Sequence, residues 1–292
     1  MESLRNWAFQ LQAEGVLPGI FEYGFLINAL VAALIIGPLL GGMGSLVVIK
    51  RLAFFSEAVG HAALTGIAIG ILLGEPAAHP YASLFSFCLI FALLLHWIKS
   101  RTQVPYDALV GVFLAVAIAM GAALLLYVAR KVNIHIIENV LFGSILTVQD
   151  RDLFILAVIG AICLLLAIMF GNQALLASLN PELARVNGIN TRLFDYIFVV
   201  MIALITVAAV KIAGAILVGA MLLIPATTAR LVTRNIRQFF WSNILLSTLC
   251  CVVGIIMPMA LDLPIPSGAA IVLLASLGFV LAVIFNRLKA IA

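Results

Sequence analysis

"GPLLGGMGSLVVIKRLAFFSEAVGHAALTGIAIG", residues 37–70, decides the fold. Two apolar runs meet at Lys50 and Arg51. Followed outward, the first run reaches back to about residue 25 and the second runs on to about residue 74. Each is long enough to cross a hydrocarbon core, which takes about 20 apolar residues as a helix. A basic pair between two such runs reads as a turn at a water-facing surface. The second run also holds a carboxylate, Glu57, and an imidazole, His61, four residues apart. A helix places both on one face, in a segment where water is scarce.

The pattern repeats along the chain. Apolar runs lie near 25–49, 52–74, 81–98, 108–128, 153–170, 193–210, 214–232, 241–261 and 267–286. Turn chemistry separates them: "GEPAAHP" at 74–80, "SRTQVPYD" at 100–107, "NPELARVNGIN" at 180–190 and "DLPIPSG" at 262–268. Only "VKIAG" divides 193–210 from 214–232, so an eight-span reading with a re-entrant segment competes with nine spans. The composition agrees: 65% of the 292 residues are hydrophobic and 10% charged, where soluble domains carry about 25% charged residues. The expected fold is all-α, a polytopic bundle of eight or nine membrane helices. It forms one membrane-spanning unit over 25–292, preceded by an extension over 1–24 with a short interfacial helix.

Charge sets the orientation. Eleven of the sixteen Lys and Arg residues fall in 50–51, 99–107, 171–192, 230–237 and 286–292. Assigning those segments to the cytoplasm puts the N-terminus outside and the C-terminus inside. Most acids, among them Glu75, Asp150, Asp152 and Asp262, then lie outside. The net charge of +4 forms no basic block, which argues against nucleic acid as a partner. The N-terminus has no basic segment leading into an apolar core, so no cleavable signal peptide is expected. The segment 129–152 is too polar to span and reads as an outer-side stretch with a short interfacial helix. The four cysteines sit in apolar runs without CxxC spacing and read as small buried side chains. "GPLLGGMGSLVVIKR" and "GAILVGAMLLIPATTAR", at 37–51 and 214–230, echo each other, as repeats in transporters do; small-residue spacing for helix packing gives the same pattern.

Ionisable residues inside spans default to functional candidates. A carboxylate and an imidazole at i, i+4 suit a divalent cation, imidazole favouring zinc and carboxylate widening tolerance toward manganese. A hydrogen-bonded pair gluing helices is the competing reading. Two ligands do not complete a site, so other helices must contribute. The further candidates for a pathway are Asn28, Met43, Pro225, Thr227 and Asp262. Each also has an ordinary role: packing for Asn28 and Met43, a helix kink for Pro225, a turn cap for Asp262. His79 and His96 lie near span ends, and His135 lies in the outer segment. In "NPELARVNGIN", Asn180 caps a short helix, Pro181 fits its first position and Gly188 ends it. There is no GxxxxGK[ST] loop and no HExxH, so the chain carries neither a recognisable ATPase nor a zinc-protease site.

Taken in order, 37–70, "LFGSILTVQDRDL" at 141–153, "NPELARVNGI" at 180–189, "GAILVGAMLLIPATTARL" at 214–231 and "DLPIPSGAAIV" at 262–272 resemble the zinc/manganese permease family of ABC importers. That family pairs a carboxylate, usually Asp, with His four residues on; here Glu57 takes the Asp place and His61 matches. The resemblance implies a permease in a bacterial cytoplasmic membrane, built as a homodimer. It implies a separate cytoplasmic ATP-binding subunit and an extracytoplasmic metal-binding protein. Zinc or manganese would be cargo, with no tightly bound cofactor. The 180–190 segment, through Pro181, Glu182, Ala184 and Gly188, would dock on the ATPase. Rival readings are a permease for chelates such as cobalamin or siderophores, an ion-coupled secondary carrier, and an intramembrane enzyme. The first needs a wide cavity, and the last lacks a base motif.

Overall fold

The computed structural model describes residues 5, 6, 12, 23–76, 80–128 and 145–291. Among them nine helices are long and apolar enough to cross a membrane. They are α1 (Gly24–Lys50), α2 (Phe55–Leu72), α3 (Tyr81–Arg101), α4 (Tyr106–Val128), α5 (Asp150–Leu179), α7 (Thr191–Ala213), α8 (Ala215–Val232), α9 (Ile236–Ala260) and α10 (Ser267–Ile291). The short α6 (Pro181–Val186) joins α5 to α7. The 193–232 stretch forms two separate helices that meet at Gly214, in keeping with the nine-span reading.

The helices alternate between two ends of the bundle. Lys50, at the end of α1, pairs with Asp195 near the start of α7, and His96 near the end of α3 stacks edge-on against Tyr196. These contacts mark one end, where the basic residues collect. At the opposite end Asn28 of α1 donates to Asp150 and to the Val148 carbonyl, and Tyr81 of α3 donates to Asp152.

Two boundaries differ from the hydropathy pattern. Helix α5 runs over 30 residues, well beyond 153–170 at both ends. Its start is fixed by a capping box, in which Gln149 and Asp152 satisfy each other's backbone N–H groups. At the other end the helix continues through "GNQALLASL" to Leu179, past the end of the apolar run. Of the expected interfacial helix within 129–152, residues 129–144 lie outside those described; Ile145–Thr147 form one 3-10 turn. Of the extension only residues 5, 6, 12, 23 and 24 are described, and the rest of its expected interfacial helix, His79 and His135 lie outside them.

Packing relies on close backbone approach, as membrane bundles generally do. A Cβ on Gly37 or Gly41 would sit 2.6 or 2.8 Å from the Cα of Thr248 or Ile244 on α9. One on Gly44 would sit 2.3 Å from the Leu222 carbonyl oxygen on α8. Helix α1 is thus locked between α8 and α9 by three glycines on adjoining turns. Its end is a Schellman motif: Arg51 takes the left-handed conformation at φ 57°, its N–H reaching Val48 and the Leu52 N–H reaching Val47. The chain folds back at once, so α2 starts alongside the last turns of α1.

Candidate functional site: an acid and an imidazole on the buried helix

Helix α2 is the most enclosed of the nine spans, with 72% of its window buried. From Phe55 to Ala68 every residue is buried except two, Glu57 and His61. The face that stays open carries only the acid and the imidazole. Small neighbours make the room. A Cβ added at Gly219 of α8 would lie 3.9 Å from Glu57 Cβ. One at Gly60 would touch Val210 and Ala215, the residues flanking the break between α7 and α8. That break is made by Gly214, whose φ 85° and ψ 156° suit glycine alone. A broken helix pair beside a polar site is a recurrent transporter arrangement.

Glu57 lies in the first turn of α2 and faces α8 one turn from Leu222, the residue that Gly44 meets on α1's side. His61 lies about 6 Å further along α2. No hydrogen bond or ion pair reaches either side chain from the described residues. In apolar surroundings an unpaired carboxylate carries a desolvation cost that a cation offsets.

The other sequence candidates scatter. Asn28 is buried at the opposite end and accepts from both Nε and NH2 of Arg5, at 3.2 and 3.0 Å. Its place is a clasp with Asp150 and Val148 rather than the Glu57 face. Met43 is buried in the core beside Gly44. Pro225 is buried in α8, where its missing N–H leaves the Met221 carbonyl without that helical partner. Thr227, half-buried one turn from Leu223, donates to the Leu223 and Ile224 carbonyls at 3.0 and 2.9 Å. Asp262, left-handed at φ 47°, edges a cavity of about 350 Å³ at the opposite end, with Pro258, Pro264 and Ser267. Among the described residues no three His, Cys, Asp or Glu side chains gather as a metal site.

Helix α6 is built as the sequence suggested. Asn180 Oδ1 accepts from the Leu183 N–H at 3.1 Å, Pro181 opens the helix, and Gly188 follows it at φ 75°. Pro181, Glu182 and Gly188 are exposed, and Val186 is 84% exposed. Ala184 is fully buried and faces the bundle, so it seats the helix. What sequence reasoning missed are Gly219, Gly60 and the Lys50–Asp195 pair, each joined to its partner only by the fold.

A family model described as the ABC 3 transport family matches residues 22–286. The manganese transport system membrane protein MntC of Listeria innocua is 28% identical over 92% of this chain and 93% of its own. The high-affinity zinc uptake system membrane protein ZnuB of Haemophilus influenzae is 32% identical over 92% of this chain and 99% of its own. Among solved structures, PsaBC from Streptococcus pneumoniae in complex with Fab superposes with a TM-score of 0.78 at 28% identity, covering 90% of this chain and 92% of that one.

Proposed function

This chain belongs to the ABC 3 transport family, and from that premise we propose how its geometry serves import. The protein is a membrane-spanning permease subunit of an ATP-driven importer for divalent metal ions, manganese or zinc. It is a multi-pass protein of the bacterial cytoplasmic membrane and a transport subunit rather than an enzyme. ATP hydrolysis belongs to a separate cytoplasmic subunit, and an extracytoplasmic metal-binding protein delivers the ion. The basic end faces the cytoplasm.

Glu57 and His61 are transient ligands for the passing ion. The observation that carries this reading is that from Phe55 to Ala68 of α2 only they stay open, with no hydrogen bond or ion pair to them from the described residues. A manganese or zinc ion needs four or more ligands, so one pair is incomplete. A second copy of the chain, its α2 and α8 faces apposed, supplies another pair and keeps the carboxylates from lipid. An incomplete set favours passage over storage. ATP binding moves α6, docked through Glu182 and Val186, and the bundles rock so that the site opens to each side in turn.

The test is radiometal uptake into liposomes holding the permease with its ATPase and binding protein. ATP-dependent uptake that vanishes without the ATPase supports the reading. Uptake that continues unchanged without the ATPase refutes it and favours a secondary carrier. Single cysteines check the orientation: one at Arg101 should label from the cytoplasm and one at Pro264 from outside, and labelling of both from one side would overturn it.

A further inference from the structure

Movement at α6 must reach α2 if the docking reading above holds, and the bundle provides a short physical route. Only Asn187 to Asn190 separate α6 from α7, and this link is pinned at both ends. The Ile189 N–H bonds the Ala184 carbonyl at 3.0 Å, and Asn190 Oδ1 accepts from the Leu193 N–H at 3.3 Å. Helix α6 and the first turn of α7 are therefore one mechanical piece. The next turn of α7 carries Asp195, Tyr196 and Phe198.

Lys50 closes onto that turn. Its ammonium donates to Asp195 Oδ1 at 2.5 Å and lies 5.2 Å from the centre of the Phe198 ring. The Lys50 side chain is 13% exposed and the Asp195 side chain 43%, so the ammonium is shielded while the carboxylate still meets solvent. His96 of α3 stacks on Tyr196 with ring centres 4.6 Å apart, gripping the same turn from another side. Two ion pairs occur among the described residues, and this is the one at the basic end. Lys50 is also the last residue of α1. After it come the left-handed Arg51, the Leu52 N–H bonded to Val47 and the Phe55 N–H bonded to Leu52, then Glu57. A non-glycine residue held at positive φ marks a turn fixed by its surroundings.

We propose that the Lys50–Asp195 ion pair is a positioning contact, through which displacement of α6 and α7 moves the α1–α2 turn and with it Glu57 and His61. Its role is to keep ion movement in step with hydrolysis. This inference rests on α6 being the ATPase dock, and the experiment separates the two.

The reconstituted complex is assayed for metal ions moved per ATP hydrolysed. Lys50→Met and Asp195→Asn should each lower that ratio fivefold or more while hydrolysis stays within twofold. Lys50→Arg preserves the ion pair and should keep the ratio near normal. Glu182→Arg is run in parallel and should weaken assembly with the ATPase. An unchanged ratio in both neutral variants overturns the proposal. So do equal losses of uptake and hydrolysis, which mark a merely structural contact, or a loss in Lys50→Arg as large as in Lys50→Met. Should the neutral variants fail to fold, the charge-swapped double variant Lys50→Asp with Asp195→Lys decides, compared with Asp195→Lys alone. A ratio restored by the swap while hydrolysis persists supports the positioning role; equal ratios in the two reject it. Normal assembly and coupling in Glu182→Arg would refute α6 as the dock, independently of the Lys50 result.

Discussion

The seam between α1 and α9 and the open face of α2 both bring polar side chains into apolar surroundings, but they treat them differently. At the seam, Asn243 of α9 spends its amide hydrogens on the Gly41 carbonyl at 2.5 Å and Ser45 Oγ at 2.9 Å. Ser45 in turn donates to the Gly41 carbonyl at 3.2 Å. Both side chains are fully buried. Even here Asn243 Oδ1 and Ser247 Oγ have no hydrogen-bond partner among the described residues. The glycines press the helices together, and the amide fastens them. On α2 the polar residues are the stronger ones, a carboxylate and an imidazole, half-open and with no hydrogen bond from the described residues. Polar groups that hold a membrane bundle together face each other, whereas those that serve a passing ion wait for it.

The comparison breaks first at the glycines. Gly44→Ala should be the most damaging change, because the added methyl meets a backbone carbonyl that no rotamer can move aside. A loss of about 3 kcal/mol is expected, at the top of the usual overpacking range. Thermal unfolding of the purified protein in detergent measures it, and a stable Gly44→Ala protein would show that the seam is loose. Asn243→Ala should cost less, about 1 kcal/mol, since interhelical hydrogen bonds in membranes are modest. Uptake per folded protein should survive that change, which the same preparation in liposomes tests. Arg5→Ala should cost least, about 0.5 kcal/mol, because its bond to Asp150 is partly exposed and screened. Added salt should shrink the difference between Arg5→Ala and the parent in the same unfolding assay.

Much of this was legible in the residues themselves. The nine apolar runs stand out because spanning demands about 20 residues without charge, and the Gly214 break showed as "VKIAG". Glu57 and His61 were legible because ionisable groups are rare within spans and four residues make a helical turn. Asn28 was not, since its partners Arg5 and Asp150 lie 23 and 122 residues away in the chain. A pairing across that distance leaves no periodic mark. The Lys50–Asp195 contact was hidden for the same reason, being 145 residues apart. The inward face of Ala184 was hidden because a six-residue helix is too short to show an amphipathic period. The extent of α5 was missed because hydropathy reports the membrane's thickness and not the helix's length.

The central claim is that the open pair on α2 is a path and the closed cluster on α1 and α9 is glue. The direct measurement is ATP-driven radiometal uptake per folded permease in liposomes, comparing Glu57→Gln and His61→Ala with Asn243→Ala. Glutamine keeps the shape of Glu57 and removes its charge, so stability should change by no more than about 0.5 kcal/mol. Uptake by Glu57→Gln and by His61→Ala should nevertheless fall roughly tenfold or more, since each removes a ligand. Asn243→Ala should show the reverse, reduced stability with near-normal uptake per folded molecule. Near-normal uptake by both α2 variants would contradict the account, and so would losses that merely track the amount of folded protein.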